Sequence, residues 1–304
     1  MITILGPTAT GKTKLAAAIA AATDGEIISA DSRQIYRGMD IGTGKDINDY
    51  VFNGKPTPYH LIDIADPGYE YNVFEFQKHF VNAYNAILKK GKTPILCGGT
   101  GMYIESVLKG YKLIKVPDNN ELRKSFENKT DLELIEELKN LKKGLHNISD
   151  ITERKRVIRA IEIERYYNEH PEIDHSFPKI ENTTFGIHFE REVIRKRITE
   201  RLLQRLEEGM IQEVENLLSQ NITPDQLRFY GLEYRYLTDY VTGEIDYNTM
   251  FTKLNTAIHQ FAKRQSTWFR RMEKHGIKIN WIDGNLSTED KLIIVGNALK
   301  SFGR

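Results

Sequence analysis

The chain has 304 residues, 40% of them hydrophobic and 28% charged, with a formal net charge of +1. That is enough for one large or two modest domains, and it provides no global field that would draw the chain to nucleic acid. One cysteine, Cys97, excludes an internal disulfide framework and a cysteine zinc site.

Ile2–Leu5 reads as a short buried strand. It runs directly into Gly6-Pro7-Thr8-Ala9-Thr10-Gly11-Lys12-Thr13, which fits the pattern G-x-x-x-x-G-K-[ST], and Lys14–Ala22 then supplies helix formers. In a strand, glycine loop and helix, backbone N–H groups turn inward and the helix N-terminus adds partial positive charge. Lys12 carries a full charge to the outer phosphates, and the Thr13 hydroxyl is placed to ligate Mg²⁺. The loop alone does not distinguish a nucleoside triphosphate from another diphosphate. A cleavable leader would destroy it, and no apolar stretch is long enough to span a bilayer, so no membrane partner and a cytoplasmic location are expected.

Further strands are predicted at Glu26–Ala30, His60–Ile64, Pro94–Cys97, Phe185–Phe189 and Lys278–Ile282. Between them, Phe76, Phe80, Tyr84, Ile87 and Leu88 mark one helical face that stops at Gly91. The alternation predicts an α/β fold with a parallel sheet and helices on both faces. Ligands of such sheets bind beyond the carboxyl ends of the strands. That rule gathers the phosphate loop, Ser29–Gln34, Asp63–Pro67 and Gly98–Gly101 at one edge. Asp31 there suits a general base or a water-mediated Mg²⁺ ligand, and equally a helix N-cap. Thr100 offers a hydroxyl among glycines, and equally a cap. Asp63 is a second acidic candidate near Mg²⁺, or a capping or solvent-facing residue.

From residue 112 to 178 strand signals give way to charged helical patterns, Asp131–Lys143 and Ile151–Glu169. A helical insertion domain over 112–178 is expected between core segments 1–111 and 179–304. Two long helical patterns follow, Arg191–Ser219 and Tyr247–Lys274. The first carries Arg191 and Arg195, then Arg197, Arg201 and Arg205, at i,i+4 spacing beside Ile194, Ile198, Leu202 and Leu206. These arginines suit bidentate phosphate contact, or a solvated face paired with Glu190, Glu200, Glu207 and Glu208. The second carries Lys263, Arg264, Arg270, Arg271 and Lys274 with Trp268 interleaved, while Leu254, Ile258, Phe261 and Phe269 suit the core. Arg154, Lys155, Arg156 and Arg159 form a third basic cluster. Three such patches in a near-neutral, phosphate-binding chain point to a nucleic-acid backbone.

Taken together, these segments resemble the tRNA dimethylallyltransferases (isopentenyltransferases). The likeness runs through Gly6–Thr13, the block from Asp31 to Thr43, Tyr59–Ile64, Gly98–Tyr103, Arg156–Glu162 and Ala262–Arg270, in the family's order. It implies a P-loop NTPase-like core with a parallel sheet flanked by helices, plus a helical insertion domain. It further implies transfer of a dimethylallyl group from its diphosphate to N6 of the adenosine 3′ of the anticodon, with Mg²⁺ as cofactor. By the same resemblance Asp31 is the catalytic base, with Lys12 and Thr100 as its partners. Gly6, Pro7, Thr8, Ala9, Thr10, Gly11, Lys12 and Thr13 hold the diphosphate, and Arg191, Arg197 and Arg201 are candidates to clamp it. Contact with the tRNA anticodon stem-loop falls to Asp31, Ser32, Arg33, Gln34, Thr100, Arg123, Lys155, Arg156, Val157, Ile158 and Arg159. Lys263 and Arg264 join them from the last basic helix. A monomer is expected.

Two places depart from the family pattern. Gly231-Leu232-Glu233-Tyr234 stands where Gly-Tyr-Lys-Glu is usual, and Gly42-Thr43-Gly44-Lys45-Asp46 stands where Gly-Thr-x-Lys-Pro is usual. The competing functions are prenyl transfer to a free adenine nucleotide and an ATP-dependent P-loop kinase.

Overall fold

The structure is a computed structural model and describes residues 1–141, 153–173 and 176–302. These fall into two compact units, Met1–Tyr111 with Lys179–Arg304, and Lys112–Pro178.

The first unit is built on β1 (Ile2–Leu5), β2 (Gly25–Ala30), a short antiparallel pair β3 (Val51–Phe52) and β4 (Lys55–Pro56), β5 (Tyr59–His60), β6 (Thr93–Gly98), β7 (Thr183–His188) and β8 (Ile279–Asp283). Among the described residues, six of them form one parallel sheet in the order β5-β2-β6-β1-β7-β8. All residues of β1 and β2 are buried, as expected when helices cover both faces of a parallel sheet. The register pairs Leu5 and Ala30 with Gly98. The three central strands therefore end together, and the loops that leave them start side by side.

α1 (Lys12–Thr23) follows the phosphate loop, and its alanines allow close packing on the sheet with Ile2, Ile4, Ile27, Ile95 and Cys97. α2 (Val73–Lys89) starts with a capping box, Asn72 and Glu75 each bonding the other's backbone N–H. It buries Phe76, Phe80 and Ile87, and leaves Leu88 exposed. α3 (Gly101–Leu108) follows β6.

The predicted strand His60–Ile64 is cut short. β5 ends at His60, and Leu61 and Asp63 take left-handed backbone (φ 63 and 54). Asp63 instead turns its carboxylate to the buried Lys45 ammonium. The predicted Arg191–Ser219 helix is broken as well. Gly209, at φ 101, separates α7 (Arg191–Glu207) from α8 (Met210–Ser219), a conformation that only glycine adopts readily.

In the second unit α4 (Asn120–Ser125), α5 (Asp131–Leu141) and α6 (Arg154–Glu169) enclose a small core of Phe126, Leu134, Leu138, Val157 and Ile161. The ends of the predicted helical patterns at 142–143 and 151–152 lie outside the described residues. The first unit is completed by α9 (Pro224–Phe229), α10 (Leu232–Val241), α11 (Tyr247–Lys274) and α12 (Thr288–Phe302). α7 to α11 share a second core with Ile35, Tyr36 and Met39. No helix among the described residues is long and apolar enough to cross a membrane.

Candidate active site

A cavity of about 1260 Å³ opens at the carboxyl edge of the sheet. Loops from the three central strands supply it: Thr8–Thr13 after β1, Asp31–Gln34 after β2, and Gly98–Gly101 at the end of β6. Residues 40–50, α7, the segment 228–235 and α11 complete the wall. The predicted fourth segment, Asp63–Pro67, is not part of this lining.

The phosphate loop is held in shape from within and from outside. Gly11 sits at φ 75 ahead of α1. The Thr10 hydroxyl donates to the Pro7 carbonyl at 2.8 Å, and the Lys12 ammonium donates to the same oxygen at 3.0 Å. Burial lowers Lys12 below the ordinary lysine value, against the opposing pull of Asp31 and of Cys97. An ammonium at this position, kept charged partly by a neighbouring carboxylate, is poised to receive an anion.

Asp31 is not a helix N-cap. Its Oδ1 accepts the Arg33 N–H at 2.9 Å, an Asx-type turn at the end of β2. Thr100 fixes the next residue: its hydroxyl accepts the Ser32 N–H at 3.0 Å and lies 3.3 Å from the Ser32 hydroxyl. The Thr100 N–H in turn donates to the Ala30 carbonyl at 3.1 Å. Lys12, Asp31 and Thr100, from three adjacent strand ends, thus face one cavity. Gln34 lies beside them, donating to the Gly44 carbonyl at 2.9 Å, and Arg33 reaches the Phe229 carbonyl at 3.2 Å.

Gln265 was not among the predicted site residues. Its side chain is 7% exposed and joins two loops: Oε1 accepts the Thr8 N–H at 2.9 Å, and Nε2 donates to the Gly99 carbonyl at 2.9 Å. Its signal in the sequence is its place in the Ala262-Lys263-Arg264-Gln265 run, directly after two basic residues. The same helix sets Trp268 against Gly101, where an added Cβ would lie 2.5 Å from the indole Cγ. Arg271 stacks over that ring at 4.1 Å and pairs with the buried Glu105 at 2.8 Å. Phe261, predicted in the core, is exposed, whereas Leu254, Ile258 and Phe269 are buried.

The arginine row of α7 divides. Arg197 donates to the Ala9 carbonyl at 2.9 Å and lies over Phe189 at 4.7 Å. Arg201 donates to the Thr8 hydroxyl at 3.3 Å and forms an ion pair with Asp46, which Arg205 also reaches at 3.2 Å. The neighbouring acids expected to solvate this row do not take these three arginines. Arg191, at the exposed first position of α7, is not among the residues that line the cavity, so it drops out as a clamp. Lys263 is likewise exposed and off the lining, whereas Arg264 lines it.

The two unusual segments meet. Tyr234 donates to Glu213 at 2.6 Å, and an added Cβ at Gly42 would sit 2.7 Å from the Tyr234 ring carbon Cζ. Glu213 also accepts the N–H groups of Asp40, Ile41 and Gly42 at 2.8, 2.7 and 3.0 Å. One carboxylate of α8 therefore folds the loop that enters residues 42–46. Glu233, on the cavity wall, has its carboxyl pushed up by burial, with Arg205, Arg201 and Arg33 opposing.

In the second unit the basic cluster of α6 is not a uniform face. Glu162, almost wholly buried, is gripped by Arg123 at 2.7 and 3.0 Å and by Arg159 at 2.8 Å. These contacts hold its carboxyl below the usual range despite the opposing effect of burial. Arg159 also donates to the Val116 carbonyl at 2.6 Å. Val157 is 2% exposed in the unit's core and Ile158 packs against that core, which removes Val157 as a surface contact. Lys155 and Arg156 are exposed.

A model of the IPP transferase family matches residues 34–272, and one described as isopentenyl transferase matches residues 1–55. Over 302 residues, 99% of this chain and 98% of the relative, the sequence is 57% identical to tRNA dimethylallyltransferase 2 of Bacteroides fragilis. It is 54% identical over 284 residues, 93% of this chain and 91% of the relative, to tRNA dimethylallyltransferase 1 of Geotalea daltonii. Among solved structures, the tRNA isopentenylpyrophosphate transferase of Bacillus halodurans superposes with a TM-score of 0.71 at 30% identity, over 99% of this chain and 95% of that one.

Proposed function

This chain belongs to the IPP transferase family, and on that premise we propose that it transfers a dimethylallyl group from dimethylallyl diphosphate to N6 of the adenosine just 3′ of the anticodon in tRNA, releasing diphosphate. The observation that carries the reading is the meeting of Lys12, Asp31 and Thr100 around a single cavity behind a complete phosphate loop.

The exocyclic amine of adenine is a poor nucleophile, because its lone pair is delocalised into the ring. Asp31 accepts a hydrogen bond from that amine and takes its proton as the new C–N bond forms. At the other end of the allyl group the C–O bond breaks, and the electron pair leaves with the diphosphate. Lys12 and the inward N–H groups of Gly11–Thr13 meet that charge, with Arg201 beside Thr8. Thr100 keeps the Asp31–Ser32 turn in register with the loop. The target base leaves its stack to reach the cavity, which is easiest in an anticodon loop that is already partly single-stranded.

Mg²⁺ fits this site in one way. No group of three or more His, Cys, Asp or Glu side chains gathers to hold a metal among the described residues. The Thr13 hydroxyl on the cavity wall would hold the ion. Bound there, Mg²⁺ would neutralise charge on the leaving group.

The protein meets its tRNA in the cytoplasm and acts as a monomer in this reading. The Arg33, Gln34 and Arg264 side chains on the cavity wall support contact with the RNA, as do the exposed Lys155 and Arg156. Incubation with labelled dimethylallyl diphosphate and Mg²⁺, offering unmodified tRNA or AMP, tests it. Label enters tRNA. Label in AMP alone would mean a free-nucleotide prenyltransferase, and label in neither, with ATP turnover in its place, would mean a kinase.

A further inference from the structure

We infer that Asp46 is a positioning residue for the diphosphate end of the site: its carboxylate holds Arg201 beside the phosphate loop and Arg205 behind it, so that the guanidinium next to Thr8 is set before the ligand arrives. The inference rests on the function just proposed, in which that loop receives a prenyl diphosphate.

The geometry is specific. Arg201 uses Nη2 for the Asp46 carboxylate and Nη1 for the Thr8 hydroxyl, so one planar group spans the acid and the loop. Arg205, only 8% exposed, reaches both carboxylate oxygens at 3.2 and 3.3 Å. Gly44 makes room for this. It stands at φ 71, and an added Cβ would lie 3.0 Å from the Arg205 guanidinium carbon. Its carbonyl accepts from Gln34, which ties the segment carrying Asp46 to the turn carrying Asp31. Two guanidinium groups facing one carboxylate leave a net positive charge at the loop.

Physical chemistry says what this arrangement does. An arginine free to rotate loses side-chain freedom when a ligand fixes it. Holding it beforehand removes most of that loss from the binding step. The carboxylate must stay charged to do so. Burial raises its pKa, but Arg201 and Arg205 outweigh burial and hold Asp46 below the usual carboxylate range. Glu233 and Asp49, two further carboxyls that feel these arginines, are shifted the opposite way by burial.

The test compares the full-length wild type, Asp46→Asn and Asp46→Glu. Pyrophosphate binding is measured by calorimetry and tRNA prenylation by steady-state kinetics. Asp46→Asn should weaken pyrophosphate binding and raise KM for dimethylallyl diphosphate by about tenfold, in line with loss of a charge-assisted pair. Its kcat and KM for tRNA should stay close to wild type, and Asp46→Glu should recover most of the loss. Unchanged or tighter pyrophosphate binding in Asp46→Asn would overturn the inference, since Asp46 would then be idle or a brake. Parallel losses in tRNA affinity and thermal midpoint would also overturn it, by making Asp46 a general structural residue. Wild type that binds no pyrophosphate and transfers no prenyl group would overturn the parent function as well, whereas a normal wild type with an unaffected variant removes only the role of Asp46.

Discussion

Asp31 owes its place to a strand end and its orientation to a turn closed by its own side chain. Replacing it with alanine should lower prenyl transfer by about 10²–10⁴-fold, the usual range for a positioned base. Binding of tRNA, measured by filter retention, should be largely unchanged, and an equal loss of both would make Asp31 structural. Lys12 sets a second expectation. Its pKa lies below the ordinary lysine value because it is buried, so as pH rises it loses its charge earlier than an exposed lysine does. Pyrophosphate affinity of the free protein should therefore fall before the ordinary lysine range is reached. Lys12→Arg, charged throughout, should flatten that limb, and an unaltered limb in this variant would assign the titration elsewhere. Cys97 lines the same cavity but is itself buried. Burial raises its thiol to about 12, so iodoacetamide should label it only after unfolding, as read by intact mass.

At the scale of elements, the strand signals of β1, β2, β6, β7 and β8 were legible because a buried parallel strand is a short apolar run bounded by turn residues. The Asp63 region misled because Leu61 and Ile62 are apolar too, while the backbone there turns left-handed to hand Asp63 to Lys45. The break at Gly209 was visible as a glycine but not as a stop, since the apolar spacing carries on through α8. Phosphate-loop residues announce themselves by spacing alone. Gln265 does not, because its role depends on two backbone groups that come near it only in the folded chain. Gln265→Leu leaves the Thr8 N–H and the Gly99 carbonyl without their partner. It should cost about 1–3 kcal/mol in urea denaturation and weaken pyrophosphate binding. Unchanged stability would mean that water replaces the amide without loss.

For the molecule as a whole, a near-neutral charge hides local division of labour. Arg123 is an expected RNA contact by the family resemblance, and Arg159 by its basic cluster as well, yet in the fold they are also the counter-ions of Glu162. A sequence shows that a cation is present but not which anion has already claimed it. Lys155 and Arg156 carry no such obligation to the buried acid. Lys155→Ala with Arg156→Ala should weaken tRNA binding and make its logarithmic salt dependence shallower by about one unit per lost phosphate contact. A slope identical to wild type would remove this part of α6 from the RNA interface.

The bridge made by Gln265 carries a consequence for how such a protein comes into being on the ribosome. The glycine cradle emerges well before the amide that ties it to the opposite loop, which lies 257 positions further on. A nascent chain arrested ahead of α11 would own every residue of the motif and still lack the clasp that shapes it. Anion affinity should accordingly arise late and abruptly during synthesis.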